Sequence, residues 1–329
     1  MAIAELPGGR VHYDVYGEGP WLVFAHGAGG NRLSWWQQIP HFAARFRCVV
    51  YDQPGWGAST CNGGPDPRRF APDLTALLDH LAITRVALVG QSMGGWAVLG
   101  CALAAPERVT HVVLASTLAG LLDETTSTQL SQVIDASAER PLDAHAALAA
   151  DFPQRDPART FLFERIAAMN PPLSAAFLHA LVRLRLAPPT APPPFATAFV
   201  AGDRDRLFPP PLIHAAHARV PAAELTMVPG AGHSVYLRSR RLQSHARHRA
   251  VALTNCDPNE PRPGLGQVAS ETRREEAGPR RRSSATPSTP GDRATKYRDA
   301  NCPSPTPCPE RGPRDTVRPS AGPLTRRAR

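Results

Sequence analysis

The chain is 329 residues long, with 37 Lys plus Arg against 28 Asp plus Glu, a formal net charge of +9 and six cysteines. Length alone admits one large domain or two small ones, but the charge is uneven: residues 1–240 hold 19 Arg and 19 acids, so the basic excess belongs to residues 241–329. That balance excludes a nucleic-acid or membrane-surface reading for the first 240 residues, and the absence of a Cys-x-x-Cys pair speaks against a zinc site or a redox dithiol.

The first residues lack the apolar run of a signal peptide, and no stretch approaches the roughly 18 apolar residues of a membrane span, so a cytoplasmic protein is expected. Residues 10–16 alternate as Arg-Val-His-Tyr-Asp-Val-Tyr, the pattern of a half-buried strand, and the apolar run Trp21 to Ala25 ends at His26-Gly27. Further apolar runs stand at 47–51, 86–89, 112–115, 196–201 and 225–228, most of them separated by helix-length segments. Strands of this kind, apolar throughout and alternating with helices, imply an α/β fold with a mostly parallel, doubly wound sheet covered on both faces.

The run from Val86 ends in Gly90-Gln91-Ser92-Met93-Gly94, a Gly-x-Ser-x-Gly sequence, and Trp96, Leu99, Gly100 and Leu103 follow at i, i+3, i+4 and i+7. A strand, this motif and a helix make a nucleophile elbow, with Ser92 as the candidate nucleophile. Between the runs at 112–115 and 196–201 the chain reads as helices only. Leu130, Val133 and Ile134 have helical spacing, as do Phe161, Phe163, Ile166 and Ala167, and Pro141, Pro157, Pro171-Pro172 and Pro188-Pro189 punctuate the segments. Residues 117–194 are therefore expected to be a helical cap or lid inserted into a core formed by 1–116 and 195–254.

A serine is a poor nucleophile without a base, so the elbow calls for a histidine held by a carboxylate farther along. Asp203 and Asp205 lie just past the run at 196–201, and His233 lies in a glycine-rich loop past the run at 225–228. Strand ends on one edge of a parallel sheet bring such residues together. His41, His80, His111, His145, His179 and His214 show no ligand spacing, and Gly55-x-Gly57 lacks the context of a dinucleotide fingerprint, so neither a metal nor a cofactor is expected. Cys48 and Cys101 are expected to be small buried apolar residues.

With the elbow, Asp205 and His233, two further segments complete a pattern: His26-Gly27-Ala28-Gly29-Gly30 and Asp52-Gln53-Pro54-Gly55-Trp56-Gly57-Ala58-Ser59. Over about residues 8–236 the chain resembles the α/β-hydrolase superfamily, whose oxyanion loop and Asp-x-x-Gly-x-Gly-x-Ser turn these segments match. The family's Gly-x-x-Asp-x-x-x-Pro pattern fits Gly202 to Pro209, a register that makes Asp205 the triad acid, with Asp203 as the alternative. The resemblance implies acyl transfer by Ser92, His233 and Asp205, with the backbone N–H groups of Ala28 and Met93 as the oxyanion hole. The substrate class implied is a small ester, thioester or lactone, and families that share the signature also include carbon–carbon bond hydrolases, lyases and cofactor-free perhydrolases. A serine at this position argues against the dehalogenase and epoxide-hydrolase branches, which use aspartate. Trp35, Trp36 and Trp56 are candidates for the acyl pocket or for the core, and His26 is expected to bond its own loop. The competing reading is a non-catalytic ligand receptor, or an inactive remnant, on the same fold.

Family members follow the catalytic histidine with an amphipathic helix that docks on the sheet, and here the chain departs from the pattern. From Cys256 onward Pro, Arg, Ser and Thr dominate, a composition that cannot offset its ordering entropy, so 255–329 is expected to be disordered. Two readings of this tail stand: a basic arm for an acidic partner, or a shifted reading frame in GC-rich DNA. With 36 Arg and one Lys, the second is favoured. Arg241-Leu242-Gln243, read one base later, can yield Gly-Phe near the family's usual Phe. Resequencing decides it, because a true frameshift leaves an amphipathic helix encoded in another frame. At roughly 25 cal/mol per Å², about 200 Å² of sheet left uncovered would cost about 5 kcal/mol.

Overall fold

The computed structural model describes residues 1–139 and 145–238; Pro141 and the tail expected from residue 255 lie outside the described residues. Its strands are β1 (Ala2–Leu6), β2 (Gly9–Tyr16), β3 (Trp21–Ala25), β4 (Arg47–Tyr51), β5 (Val86–Gln91), β6 (Val109–Ala115), β7 (Ala196–Gly202) and β8 (Glu224–Val228). They form one eight-stranded sheet in the order β1-β2-β4-β3-β5-β6-β7-β8. β2 pairs antiparallel with β1 and β4, and every other pair is parallel.

The two faces of the central strands explain their unbroken apolar runs. Val23, Ala25, Val49, Tyr51, Leu88 and Val112 pack on one side with helices α2 (Phe70–His80) and α3 (Gly94–Ala104). On the other side Leu22, Phe24, Cys48 and Val50 pack with Ile39 of the short helix α1 (Ile39–Phe42), with Trp35 and with Tyr236. Cys48 is buried as expected, and burial pushes its thiol up to about 12.

Among the described residues, four helices lie between β6 and β7: α4 (Glu124–Glu139), α5 (Phe152–Arg155), α6 (Pro157–Ala167) and α7 (Ala175–Arg183). Their starts follow from capping. Asp156 accepts from Arg159 N–H at 3.1 Å with Pro157 at the first helical position, and Ser174 accepts from Phe177 N–H at 3.1 Å. Helix α8 (Pro210–His217) then buries Ile213 and Ala216 against the sheet. Among the described residues no helix is long and apolar enough to cross a membrane.

Three features differ from the expected elements. Strand β1 was not expected: at this sheet edge only its Ala4 is buried, so it carries no apolar alternation, although Pro7-Gly8 supplies the turn into β2. The helix expected after the elbow is α3, but it is buried nearly all round, and Ala97, Val98 and Cys101 are as enclosed as Trp96 and Leu99, which the helical spacing alone does not show. Among the helical residues read between 117 and 194, Phe163 and Ile166 are buried, but Phe161 and Val133 face solvent.

Candidate active site

Ser92 stands between β5 and α3 with φ of +49°. An L-residue in this region costs about 1–2 kcal/mol, a strain met here where the chain must reverse direction around one side chain. The tightness extends to Gly94, where a Cβ would lie 2.2 Å from the Ala25 carbonyl oxygen at the end of β3. Gly94→Ala is therefore expected to lower stability by about 1–3 kcal/mol. An unchanged denaturant midpoint in the variant would show that the strand and helix can separate freely.

His233 and Asp205 meet on the same sheet edge, His233 Nδ1 lying 2.9 Å from Asp205 Oδ2, both residues almost fully buried. The other carboxylate oxygen, Oδ1, accepts from the N–H groups of Leu207 at 2.9 Å and Phe208 at 2.8 Å, which fixes the plane of the carboxylate. With Nδ1–H donating to the acid, Nε2 is left as the basic nitrogen. The Phe208 ring contacts the imidazole edge-on at 5.0 Å, and Gln91 Nε2–H donates to the His233 carbonyl at 3.3 Å. Asp203 does other work: it is exposed and accepts from Gly230 N–H at 2.6 Å, anchoring the loop that leads to His233.

The 26–30 loop lies against the serine, since a Cβ at Gly27 would come within 3.0 Å of Ser92 Cβ. Trp56 Nε1–H donates to the Ala28 carbonyl at 2.8 Å, and Gly30 N–H donates to the Gly27 carbonyl at 3.0 Å. Among the described residues, the N–H groups of Ala28 and Met93 meet no acceptor, and Met93 is fully enclosed. Met93 is buried and Ala28 half-buried, so within the described residues the Met93 N–H is an enclosed donor left open, a state that costs about 1–3 kcal/mol when no acceptor is met.

His26 is completely buried, and both ring nitrogens are engaged. Nδ1–H donates to the Gly27 carbonyl at 2.8 Å, and Nε2 accepts from Gln53 N–H at 2.9 Å. This arrangement needs the neutral ring, and burial pushes its pKa below the ordinary 6.5. For such a group the unfolded chain takes up the proton first, so the stabilisation is complete above the unfolded pKa and is lost as pH falls toward the folded one. Stability should thus drop below about pH 6.5, by up to ~1.4 kcal/mol per pH unit from this residue. Comparing urea midpoints at several pH values for the parent and His26→Gln checks it; equal slopes in the two proteins would refute it.

The Asp52–Ser59 segment supports this loop rather than the chemistry. Fully buried Asp52 accepts from Arg32 N–H at 2.8 Å, from the Arg32 guanidinium and from Ala58 N–H at 2.9 Å. Asn31, directly after the loop, donates through Nδ2 to the Ile166 carbonyl at 3.3 Å and to Asn170 Oδ1 at 3.4 Å, tying the loop to the residues around the end of α6. The segment before α5 also reaches the site, because Ser234 N–H donates to the Ala147 carbonyl at 2.8 Å and Arg206 donates to the Leu148 carbonyl at 3.3 Å.

The three tryptophans separate. Trp35 packs between Phe24 and Tyr236 in the core, Trp36 is 40% exposed, and Trp56 lies buried between the Ala28 carbonyl and the rings of Phe70 and Phe177. Sequence reasoning missed Gln53, Asn31, Asn170 and Thr117. Their roles are bonds to backbone atoms or to residues far along the chain, which leave no spacing to read.

The family described as the alpha/beta hydrolase family matches residues 22–244. A curated relative, 3-oxoadipate enol-lactonase 2 of Acinetobacter baylyi, is 37% identical over 112 residues, 33% of this chain and 42% of the relative. A 2-hydroxy-6-oxononadienedioate/2-hydroxy-6-oxononatrienedioate hydrolase of Paraburkholderia phymatum is 41% identical over 113 residues, 32% of this chain and 39% of the relative. The chain thus matches about two fifths of the length of these relatives. Among solved structures, a thermophilic esterase from Thermogutta terrifontis superposes with a TM-score of 0.64 at 21% identity, covering 77% of this chain and 99% of that one. Est816, described as an N-acyl homoserine lactone degrading enzyme, gives 0.65 at 23% identity over 75% and 99%. At these identities the structural likeness speaks for the fold.

Proposed function

The chain belongs to the alpha/beta hydrolase family, and from that premise we propose that it is a serine hydrolase that cleaves a small carboxylic ester, thioester or lactone through an acyl-enzyme. The observation that carries the reading is the buried His233–Asp205 pair, whose carboxylate is held by two backbone donors and whose imidazole keeps Nε2 as the base. Ser92 attacks the carbonyl while His233 Nε2 takes its proton, Asp205 stabilises the imidazolium, and the leaving oxygen or sulfur recovers the proton as the acyl-enzyme forms. Water, activated by the same nitrogen, then releases the acid. The negative charge on the carbonyl oxygen is met by the unpartnered N–H groups of Ala28 and Met93. Of the two curated relatives, the one named an enol-lactonase supports the lactone class, and the one named a 2-hydroxy-6-oxononadienedioate/2-hydroxy-6-oxononatrienedioate hydrolase supports hydrolysis without naming an ester. Residues 117–194 serve in this reading as the cap that bounds the acyl pocket.

The test is labelling of the purified, folded protein with a fluorophosphonate, mapped by peptide mass spectrometry, beside turnover of p-nitrophenyl acetate and a γ-lactone. The adduct is expected on Ser92, with turnover of at least one substrate. A folded protein that neither labels nor turns over would be the receptor or remnant instead.

A further inference from the structure

β6 leaves the sheet beside the elbow through a strained turn, with positive φ at Ser116 (+42°), Ala119 (+47°) and Gly120 (+73°). Thr117, fully buried in this turn, is bonded on both sides of its hydroxyl. The oxygen accepts from Ala119 N–H at 3.0 Å, and the hydroxyl donates to the Ser92 carbonyl at 2.6 Å. The same carbonyl accepts from Gly95 N–H at 2.9 Å, and Ser92 N–H donates to the Ala115 carbonyl at 3.0 Å. Room for the threonine comes from Gly95, one position past the Gly-x-Ser-x-Gly motif, where a Cβ would lie 2.2 Å from Thr117 Oγ1.

The Ser92 carbonyl and the Met93 N–H belong to one peptide unit. A trans peptide is planar, with its C=O and N–H pointing in opposite directions, so whatever fixes the oxygen fixes the direction of the hydrogen. We propose that Thr117 is a positioning residue for the reaction: its hydroxyl clamps the Ser92–Met93 peptide so that Met93 N–H points into the oxyanion site. This inference rests on the proposed hydrolase function. A hydrogen bond to the carbonyl also polarises the peptide and strengthens its N–H as a donor. Because the oxyanion exists in the transition state and not in the bound ester, the clamp acts on kcat and leaves KM nearly alone.

The experiment compares the parent with Thr117→Val, which keeps the shape and removes the hydroxyl, and Thr117→Ser, which keeps the hydroxyl. The readouts are kcat and KM for p-nitrophenyl acetate, the second-order rate of fluorophosphonate labelling, and the melting temperature. Thr117→Val is expected to lose roughly 10- to 100-fold in kcat and in labelling rate, a fraction of the effect of deleting an oxyanion donor outright. Its KM should stay within about twofold, and Thr117→Ser should recover most of the loss. Thr117→Val with parental kcat and labelling overturns the proposal, as does a serine variant as slow as the valine one. If Thr117→Val does not fold, Thr117→Ala replaces it. If neither folds while the serine variant does, the hydroxyl acts in stability and the positioning role falls. A folded parent that is never labelled and never turns over an ester sinks the hydrolase reading and this proposal together, whereas a labelled parent with an unaffected valine variant sinks this proposal alone.

Discussion

Ser92→Ala is expected to remove ester turnover by roughly 10⁴- to 10⁶-fold, because loss of the nucleophile leaves only binding and the oxyanion donors to act. The fold should survive, since the serine hydroxyl makes no hydrogen bond within the described residues and alanine suffers the same φ of +49°. A second substitution separates chemistry from strain. In Ser92→Gly the left-handed conformation costs nothing sterically, and after the added entropy of an unfolded glycine the gain is up to about 1 kcal/mol, or about 2–4 °C in melting temperature for a domain of this size. The glycine variant should thus be inactive and more stable than the parent, the alanine variant inactive and no more stable. If the alanine variant keeps its activity after fluorophosphonate treatment, the nucleophile lies elsewhere. If glycine fails to raise the melting temperature, the elbow is not where the strain resides.

How much of this was legible in the sequence depends on what each residue touches. β3 and β4 match their apolar runs residue for residue, because central parallel strands are covered on both faces and their burial is visible as unbroken hydrophobicity. β1 has a single enclosed residue, Ala4, and is held by its ladder to β2, which residue type does not record. α3 shows the reverse effect: enclosed on nearly all sides, it has no polar face against which a stripe could be drawn. At the site, side chains recognised by chemistry and order along the chain, Ser92, Asp205 and His233, stand out from the sequence. The choice between Asp203 and Asp205 needed the resemblance, for both acids follow the same strand; in the structure one meets the imidazole and the other a backbone N–H. Thr117 and Asn170 were illegible because each acts through a backbone group more than twenty positions away.

Asp205→Asn is expected to lower kcat by roughly 10⁴-fold with little change in stability, and the geometry shows why these effects part. Asparagine keeps an oxygen where Oδ1 accepts from Leu207 and Phe208, so the turn that carries the residue stays capped. Its amide nitrogen then occupies the place of Oδ2, 2.9 Å from His233 Nδ1, and it can only donate. The imidazole must answer with an unprotonated Nδ1, which moves its proton to Nε2, and a protonated Nε2 cannot take the proton of Ser92. The loss therefore arises from a tautomer and not from a missing contact, and Asp205→Ala, which removes the cap as well, should be both inactive and less stable. Asp203→Asn supplies the control: an exposed acceptor for Gly230 N–H is preserved as an amide oxygen, so activity should remain within about threefold and stability within about 0.5 kcal/mol. Steady-state kinetics and thermal melts on the three variants decide the assignment. A large loss in Asp203→Asn with an active Asp205→Asn would transfer the role to the other carboxylate, and it would require the His233 loop to rearrange in solution before the imidazole could reach it.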